Sequence, residues 1–501
     1  MKLGVILNRV FRMQANPLFQ YVSEHHHHYD AIHFIVPIEA MTDASEIKYH
    51  DYMNVVKGFL NQLKQYDIEP HIVTYEALGD LSKSLGLTHV LLASDTMSYH
   101  HERYDFPHIQ RAFQNYHIDV IGLRANHYFN PRQTTNKQGE PYKVFTHFYK
   151  ANRSKITHIR TPNYTLETLS SIVQKGDNQL NLTFNDACDV EATVRAKWED
   201  FLREDITQYK ELTHDLTQPY VSGMSRSLAY GLMDIHEVLS DLLEGYETSP
   251  SQYEAYMREL IFREFYYVLM VAYPHTAHQS FNEKYRDLPW SNHEATFEAW
   301  KNGETGYPIV DAAMKKLRRT GCMHNRLRMV VSQFLTKHLL INWTWGEAYF
   351  REQLIDYDNA SNVHGWQWSA STGTDAVPYF RMFNPIRQSE RFDAQGYFVK
   401  SEFPLFDDVP AQYVHHPSAY REVLNETYHI KIGEDYPDVI VDHKASRERV
   451  MTVFKSLSED ERGWDIIPSQ KKNRLGKIIF YLIDSFYILF QKNKALAYNN
   501  E

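Results

Sequence analysis

Residues Gly321 to Gln388 read GCMHNRLRMVVSQFLTKHLLINWTWGEAYFREQLIDYDNASNVHGWQWSASTGTDAVPYFRMFNPIRQ, and this stretch decides the fold. It combines a His-Asn-Arg-Leu-Arg run, two carboxylates in Asp356-Tyr357-Asp358 and four of the chain's eight tryptophans. That mixture is poor core material. Asn325, Arg326, Arg328, Asp356 and Asp358 would each cost several kcal/mol if buried alone, so a fold that gathers them near indoles must pair them with each other or with a ligand. A polar ligand under an aromatic wall is the first expectation.

Upstream, the apolar periodicity stays helical back to about residue 195. Residues 3 to 125 behave differently: LGVIL, AIHFIVPI, EPHIVTY, HVLLAS and DVIGLR alternate with helical segments such as YHDYMNVVKGFLNQLKQY at 49 to 66. Such alternation predicts a parallel sheet with helices on both faces. No GxGxxG follows any of these strands, so no dinucleotide site is expected there. Between the two parts, 126 to 194 is rich in Pro and polar clusters such as NPRQTTNKQGEP and reads as a connector wrapping the surface. The expected divisions are therefore an N-terminal Rossmann-like α/β domain (1–125), a connector (126–194), an all-helical domain (195–449) and a helical C-terminal extension (450–501).

Composition narrows the partners. The 501 residues carry a net charge of −10, so contact with nucleic acid must come from a local basic patch. Two cysteines, Cys188 and Cys322, supply neither a disulfide framework nor a four-cysteine cluster, and no metal site is expected. A reducing cytoplasm fits. MKLGVILNRVF reads as a first strand, not a signal peptide. Residues 478 to 490, IIFYLIDSFYILF, fall short of the roughly 20 residues needed to cross a bilayer and read as a packed terminal helix.

TGYPIVDAAM (Thr305 to Met314), MHNRLRM (Met323 to Met329), GWQWSASTGTDA (Gly365 to Ala376) and YFRMFNP (Tyr379 to Pro385) resemble class I DNA photolyases of the photolyase/cryptochrome family. Long strings in fixed order are far more specific than one short motif. The resemblance is strong from about Gln252 to Lys444, recognisable from Tyr209 and looser over the first 200 residues. It implies an N-terminal α/β antenna-type domain, a helical domain holding noncovalent FAD, and light-dependent repair of cyclobutane pyrimidine dimers in UV-damaged DNA by a monomer. A second, antenna chromophore is also implied. Its identity stays unassigned, because the positions where folate-type relatives place an Asn-Glu pair read His100-His101.

Residue by residue, the resemblance implies a flavin cradle of Tyr209, Val221, Ser222, Gly223, Met224, Ser225, Arg328, Asp356, Tyr357, Asp358 and Asn362. The Ser222 segment is expected to open a helix toward the diphosphate, and Asn362 to face flavin N5. Trp366, Trp343 and Trp290 match the family's electron-transfer chain, while Trp198, Trp300, Trp345 and Trp464 read as packing. The dimer pocket is expected to draw on Glu259, Phe262, Arg263, Asn325, Arg326, Met329, Trp368 and Gln388. Glu259 hydrogen-bonds the dimer and stabilises its charge, and Arg326, Arg263, Arg381 and Arg387 meet the DNA backbone.

The sequence departs from the family at four of these places. Val221 stands for a Thr, Phe262 and Cys322 each for a Trp, and Thr213 for a DNA-contacting Arg. The losses at 262 and 322, with the C-terminal extension, keep a cryptochrome-like photoreceptor as the alternative function. A (6-4) photoproduct enzyme would need a histidine pair where His324 is followed by Asn325.

Overall fold

The computed structural model describes residues 1–96, 106–158, 164–166, 172–185, 187–217 and 222–459, with side chains to 457. His100-His101, Val221, Trp464 and the apolar run at 478 to 490 lie outside these residues.

Five strands form one parallel sheet in the order β3-β2-β1-β4-β5: β1 (Lys2–Ile6), β2 (Ala31–Ile38), β3 (His71–Thr74), β4 (His89–Ala93) and β5 (Asp119–Leu123). β2 is buried along its whole length, as a central strand covered on both faces should be. Helices α1 (Pro17–His25), α2 (Glu46–Gln65), α3 (Leu78–Ser84) and α4 (Phe106–Asn115) connect the strands. The hydroxyl of Ser45 caps α2 by accepting from Lys48 N, which starts the helix three residues before the predicted segment.

The connector is less irregular than its composition suggested. It carries a short helix, α5 (Phe145–Asn152), and then runs beside the sheet. There it forms isolated parallel bridges from Val173 to Ile32 and from Asn178 to Ile72. Two of its carbonyls, Ile172 and Asp177, accept from Ile32 N and Ile72 N, each at 2.9 Å. Strand groups left open by the ladder are satisfied in this way.

From Val190 the chain is helical: α6 (Val190–Asp200), α7 (Tyr209–Leu212), α8 (Met224–Ala229), α9 (Ile235–Gly245), α10 (Pro250–Ala272), α11 (Glu294–Asn302), α12 (Pro308–Thr320), α13 (Asn325–Gln333), α14 (Trp343–Gln353), α15 (Asn359–Ala370) and α16 (Pro385–Phe392). Met1–Thr452 form one compact unit, and a second begins at Val453.

Within the first unit, the segment after β1 ties sheet to helices. Arg9 pairs with Glu39 at 2.7 Å, with both side chains almost fully buried. Arg12, wholly buried, donates to the carbonyls of Ala15, Ala125 and Gly231. Gly231 has φ +65°, and a Cβ there would lie 2.1 Å from Arg9 O, so only glycine permits this approach. Across the same seam Arg226 chelates Asp51 at 2.8 to 3.0 Å.

A cleft between α10 and α15

α10 supplies one wall. Glu259 and Phe262 are three residues apart and share a helix face. Glu259 is exposed, yet the surrounding protein desolvates its carboxyl and pushes its pKa up, against a smaller opposing effect of Arg258. Desolvation of a carboxyl that solvent still reaches marks this side of α10 as the candidate cleft. Tyr209 lies within the same field: burial first, then Glu259, pushes its phenol up to about 12. Its ring meets Tyr256 edge-on at 5.0 Å.

Two expected members of this wall are placed otherwise. Arg263 turns toward the sheet, donating to Asn126 O (2.9 Å) and Glu264 (3.0 Å), so the structure does not bring it to Glu259. Phe262 lies on the cleft side and is partly exposed, but Phe145 of α5 stacks flat against it, with centroids 3.3 Å apart and planes 7° apart.

The second wall is α15. Its face made by Ser361, Asn362, Gly365 and Trp368 is partly exposed, while Val363, His364, Trp366 and Gln367 are buried. Asp358 caps the helix by accepting from Ser361 N at 2.7 Å. The Asn362 amide donates to Glu347 Oε1 (3.0 Å) and to Glu347 O (3.2 Å). Both partners are acceptors, so the amide nitrogen must point at them and the amide oxygen is left for the other side. Tyr357 OH donates to the same Glu347 oxygen at 3.1 Å, and its ring is buried, with Lys48 Nζ 4.6 Å from the ring centre. Tyr357 is therefore floor beneath the cleft and not its lining.

α13 closes one end. His324 caps it, its Nδ1 accepting from Arg326 N (3.0 Å) while Nε2 binds Thr213 O (2.7 Å). Burial lowers its pKa to about 4, so it stays neutral. Asn325 is exposed and Met329 partly so. Arg328 holds Asp356 with two bonds of 2.8 and 3.0 Å. The Arg326 guanidinium lies 4.3 Å from the centre of Phe392. Arg387 pairs with Glu390 at the surface.

At the other end Ser222 Oγ meets Tyr256 OH at 2.6 Å and accepts from Met224 N. Met224 itself is core, and Ser225 is exposed. The helix they open has only six residues, so the dipole expected there is weak. Gly223, at φ +72°, has no atom within 4 Å of a Cβ, and Gly365 is equally open.

These residues fit FAD. Two open glycines, the Arg328–Asp356 pair and a fixed amide acceptor offer room and directed polar groups. Gln388 Oε1, Arg326 Nε and Trp366 Nε1 are buried without a hydrogen-bond partner among the described residues.

Trp366 and Trp343 are buried and Trp290 is partly exposed. The Trp366 ring touches Phe350 at 5.0 Å and Trp300 at 6.0 Å, and Trp343 Nε1 donates to Ser280 Oγ at 3.4 Å. Sequence reading missed Glu347 and Phe145. Glu347 sits fifteen residues before Asn362 on a different helix, beyond any helical spacing; Phe145 lies in a segment that read as irregular connector, 117 residues from the ring it meets.

Comparison with known proteins identifies the family. A family model described as the FAD binding domain of DNA photolyase matches residues 256–456, and one described as DNA photolyase matches 34–165. The deoxyribodipyrimidine photo-lyase of Alkalihalophilus pseudofirmus is 35% identical over 463 residues, 84% of this chain and 91% of that protein. The Escherichia coli protein of the same name is 34% identical over 70% of this chain and 74% of its own length. Among solved structures, a class III photolyase from Agrobacterium tumefaciens superposes with a TM-score of 0.79 at 26% identity, covering 91% of this chain and 98% of that one. A Synechocystis cryptochrome, 21% identical with a TM-score of 0.76 and covering 90% and 99%, shares the fold. With 35% identity over an alignment that spans 91% of a curated relative, and both characteristic domains matched in order, the chain belongs to the DNA photolyase family.

Proposed function

We propose that the chain is a deoxyribodipyrimidine photo-lyase that splits cyclobutane pyrimidine dimers in DNA under light. The observation that carries this reading is Glu259, reachable from the cleft yet desolvated. Desolvation favours the protonated form of the carboxyl, and in that form it can donate to a pyrimidine carbonyl and stabilise negative charge that develops there. FAD, when bound and reduced, supplies a light-driven electron to the dimer and accepts it back, so the reaction has no net redox change.

Tyr209, Val221, Ser222, Gly223, Met224, Ser225, Arg328, Asp356, Tyr357 and Asp358 are assigned to holding the cofactor, Tyr357 from beneath. Asn362 offers the amide oxygen that Glu347 leaves free. Phe262, Asn325, Met329, Trp368 and Gln388 are assigned to the lesion and Arg326 to a backbone phosphate. Arg263 is assigned to the fold and no longer to the substrate. Trp366, Trp343 and Trp290 are assigned to carrying electrons inward from the surface.

The division at 125, 194 and 449, a second chromophore of unassigned identity, a monomeric state and a cytoplasmic location belong to the same reading. No helix among the described residues is long and apolar enough to cross a membrane.

The test is repair of an oligonucleotide bearing one thymine dimer by the photoreduced protein under blue light, with a dark control. Light-dependent loss of the dimer, strongly slowed by Glu259→Ala, is the expected result. Persistence of the dimer at saturating, FAD-loaded protein would refute repair and leave the photoreceptor.

A further inference from the structure

We propose that Phe145, on the connector, is a positioning residue for lesion binding: it holds the Phe262 ring as one layer of a two-ring platform on which the damaged base stacks. The inference rests on the repair reading above.

The two rings come from segments 117 residues apart and lie almost parallel, 3.3 Å between centres. Phe145 is fixed on every side the structure records. It is 2% exposed, its backbone N–H donates to Asp375 Oδ2 at 3.1 Å, and its ring meets Phe265 edge-on at 5.7 Å. The Arg258 guanidinium lies 4.7 Å from its centre, 5.0 Å from Tyr149 and 5.7 Å from Phe262. Anchored in this way, Phe145 covers one face of Phe262 and leaves that ring partly exposed, on the helix face it shares with Glu259.

A phenyl ring offers a base less area than an indole. A free phenyl would also lose rotational freedom when the base arrives, and that ordering cost subtracts from affinity. Clamping the ring beforehand removes the cost. The connector thereby recovers part of what the smaller ring gives up, and it becomes part of the substrate site.

The experiment measures binding of dimer-containing and undamaged oligonucleotides to the FAD-loaded protein in the dark. Phe145→Leu keeps apolar volume but removes the ring face. It should weaken binding of the dimer strand by about tenfold, the size of one lost ordered aromatic contact, with undamaged strand unaffected. In a Phe262→Leu background the same change should do nothing more. Equal losses on both strands, or an undiminished loss in that background, would overturn the proposal. A second readout needs no DNA: para-fluorophenylalanine at position 262 should give one sharp fluorine resonance in the parent and a broadened or doubled one in Phe145→Leu. An unchanged resonance also overturns the proposal. A parent that does not prefer the dimer defeats the repair reading instead, and the resonance still decides the role of Phe145.

Discussion

Two arginine–carboxylate pairs sit on either side of the seam between sheet and helices, and they do different work. Arg9–Glu39 is closed: the side chains are 2% and 0% exposed, and Arg9 also reaches Ala229 O. Arg328–Asp356 has similar bond lengths, made through a single guanidinium nitrogen, but stays open, at 28% and 11% exposed, beside the cleft. A closed pair already has its partners and can serve only the fold. An open pair keeps acceptor and donor directions for something that arrives later. Similar bonds therefore carry opposite information, and burial tells which is which.

The comparison breaks most visibly at the closed pair. Glu39→Ala leaves a buried guanidinium without its partner and should cost about 3–5 kcal/mol, read as a large fall in the denaturant midpoint. Arg328→Ala should cost only about 1 kcal/mol, because its pair is partly in water. Its main effect should be loss of bound FAD on gel filtration, measured by absorbance. Equal destabilisation by the two changes would erase the distinction.

The smallest expected effect concerns Glu259 and sharpens the same point about openness. Burial raises its pKa above the ordinary 4.5. Stability tied to the protonated form is complete below that value and is lost as pH rises through the folded pKa. Glu259→Gln cannot lose a proton, so its denaturation midpoint should match the parent at pH 4 and exceed it modestly at pH 8. A midpoint difference independent of pH would mean that the carboxyl is not desolvated.

The sheet was legible because Val, Ile and Leu cluster in short runs between turn signals, and the five strands lie where those runs do. The cleft was legible in its α13 to α15 part, since His324, Arg328, Asp356 and Asn362 fall within forty residues of one another. What stayed hidden depends on meetings across the chain. Arg263 looks like Glu259 in sequence, one helical turn away, but the side chain follows Glu264 and Asn126 toward the sheet. Phe262 reads as a bare aromatic until Phe145 is laid on it. The Ser222 segment reads as a helix start, and nothing local shows that the helix ends after six residues.

The buried arginine at position 12 has a consequence in time. The chain is made from its N-terminus, and Arg9 has its carboxylate within reach after 30 residues. Arg12 must wait for Gly231, 219 residues downstream. At roughly 5–20 residues per second, that carbonyl leaves the ribosome about 10–40 s later. Until then the nascent sheet carries a cation whose final hydrogen bond does not yet exist, so the sheet is completed only once the first helices of the next domain have been made.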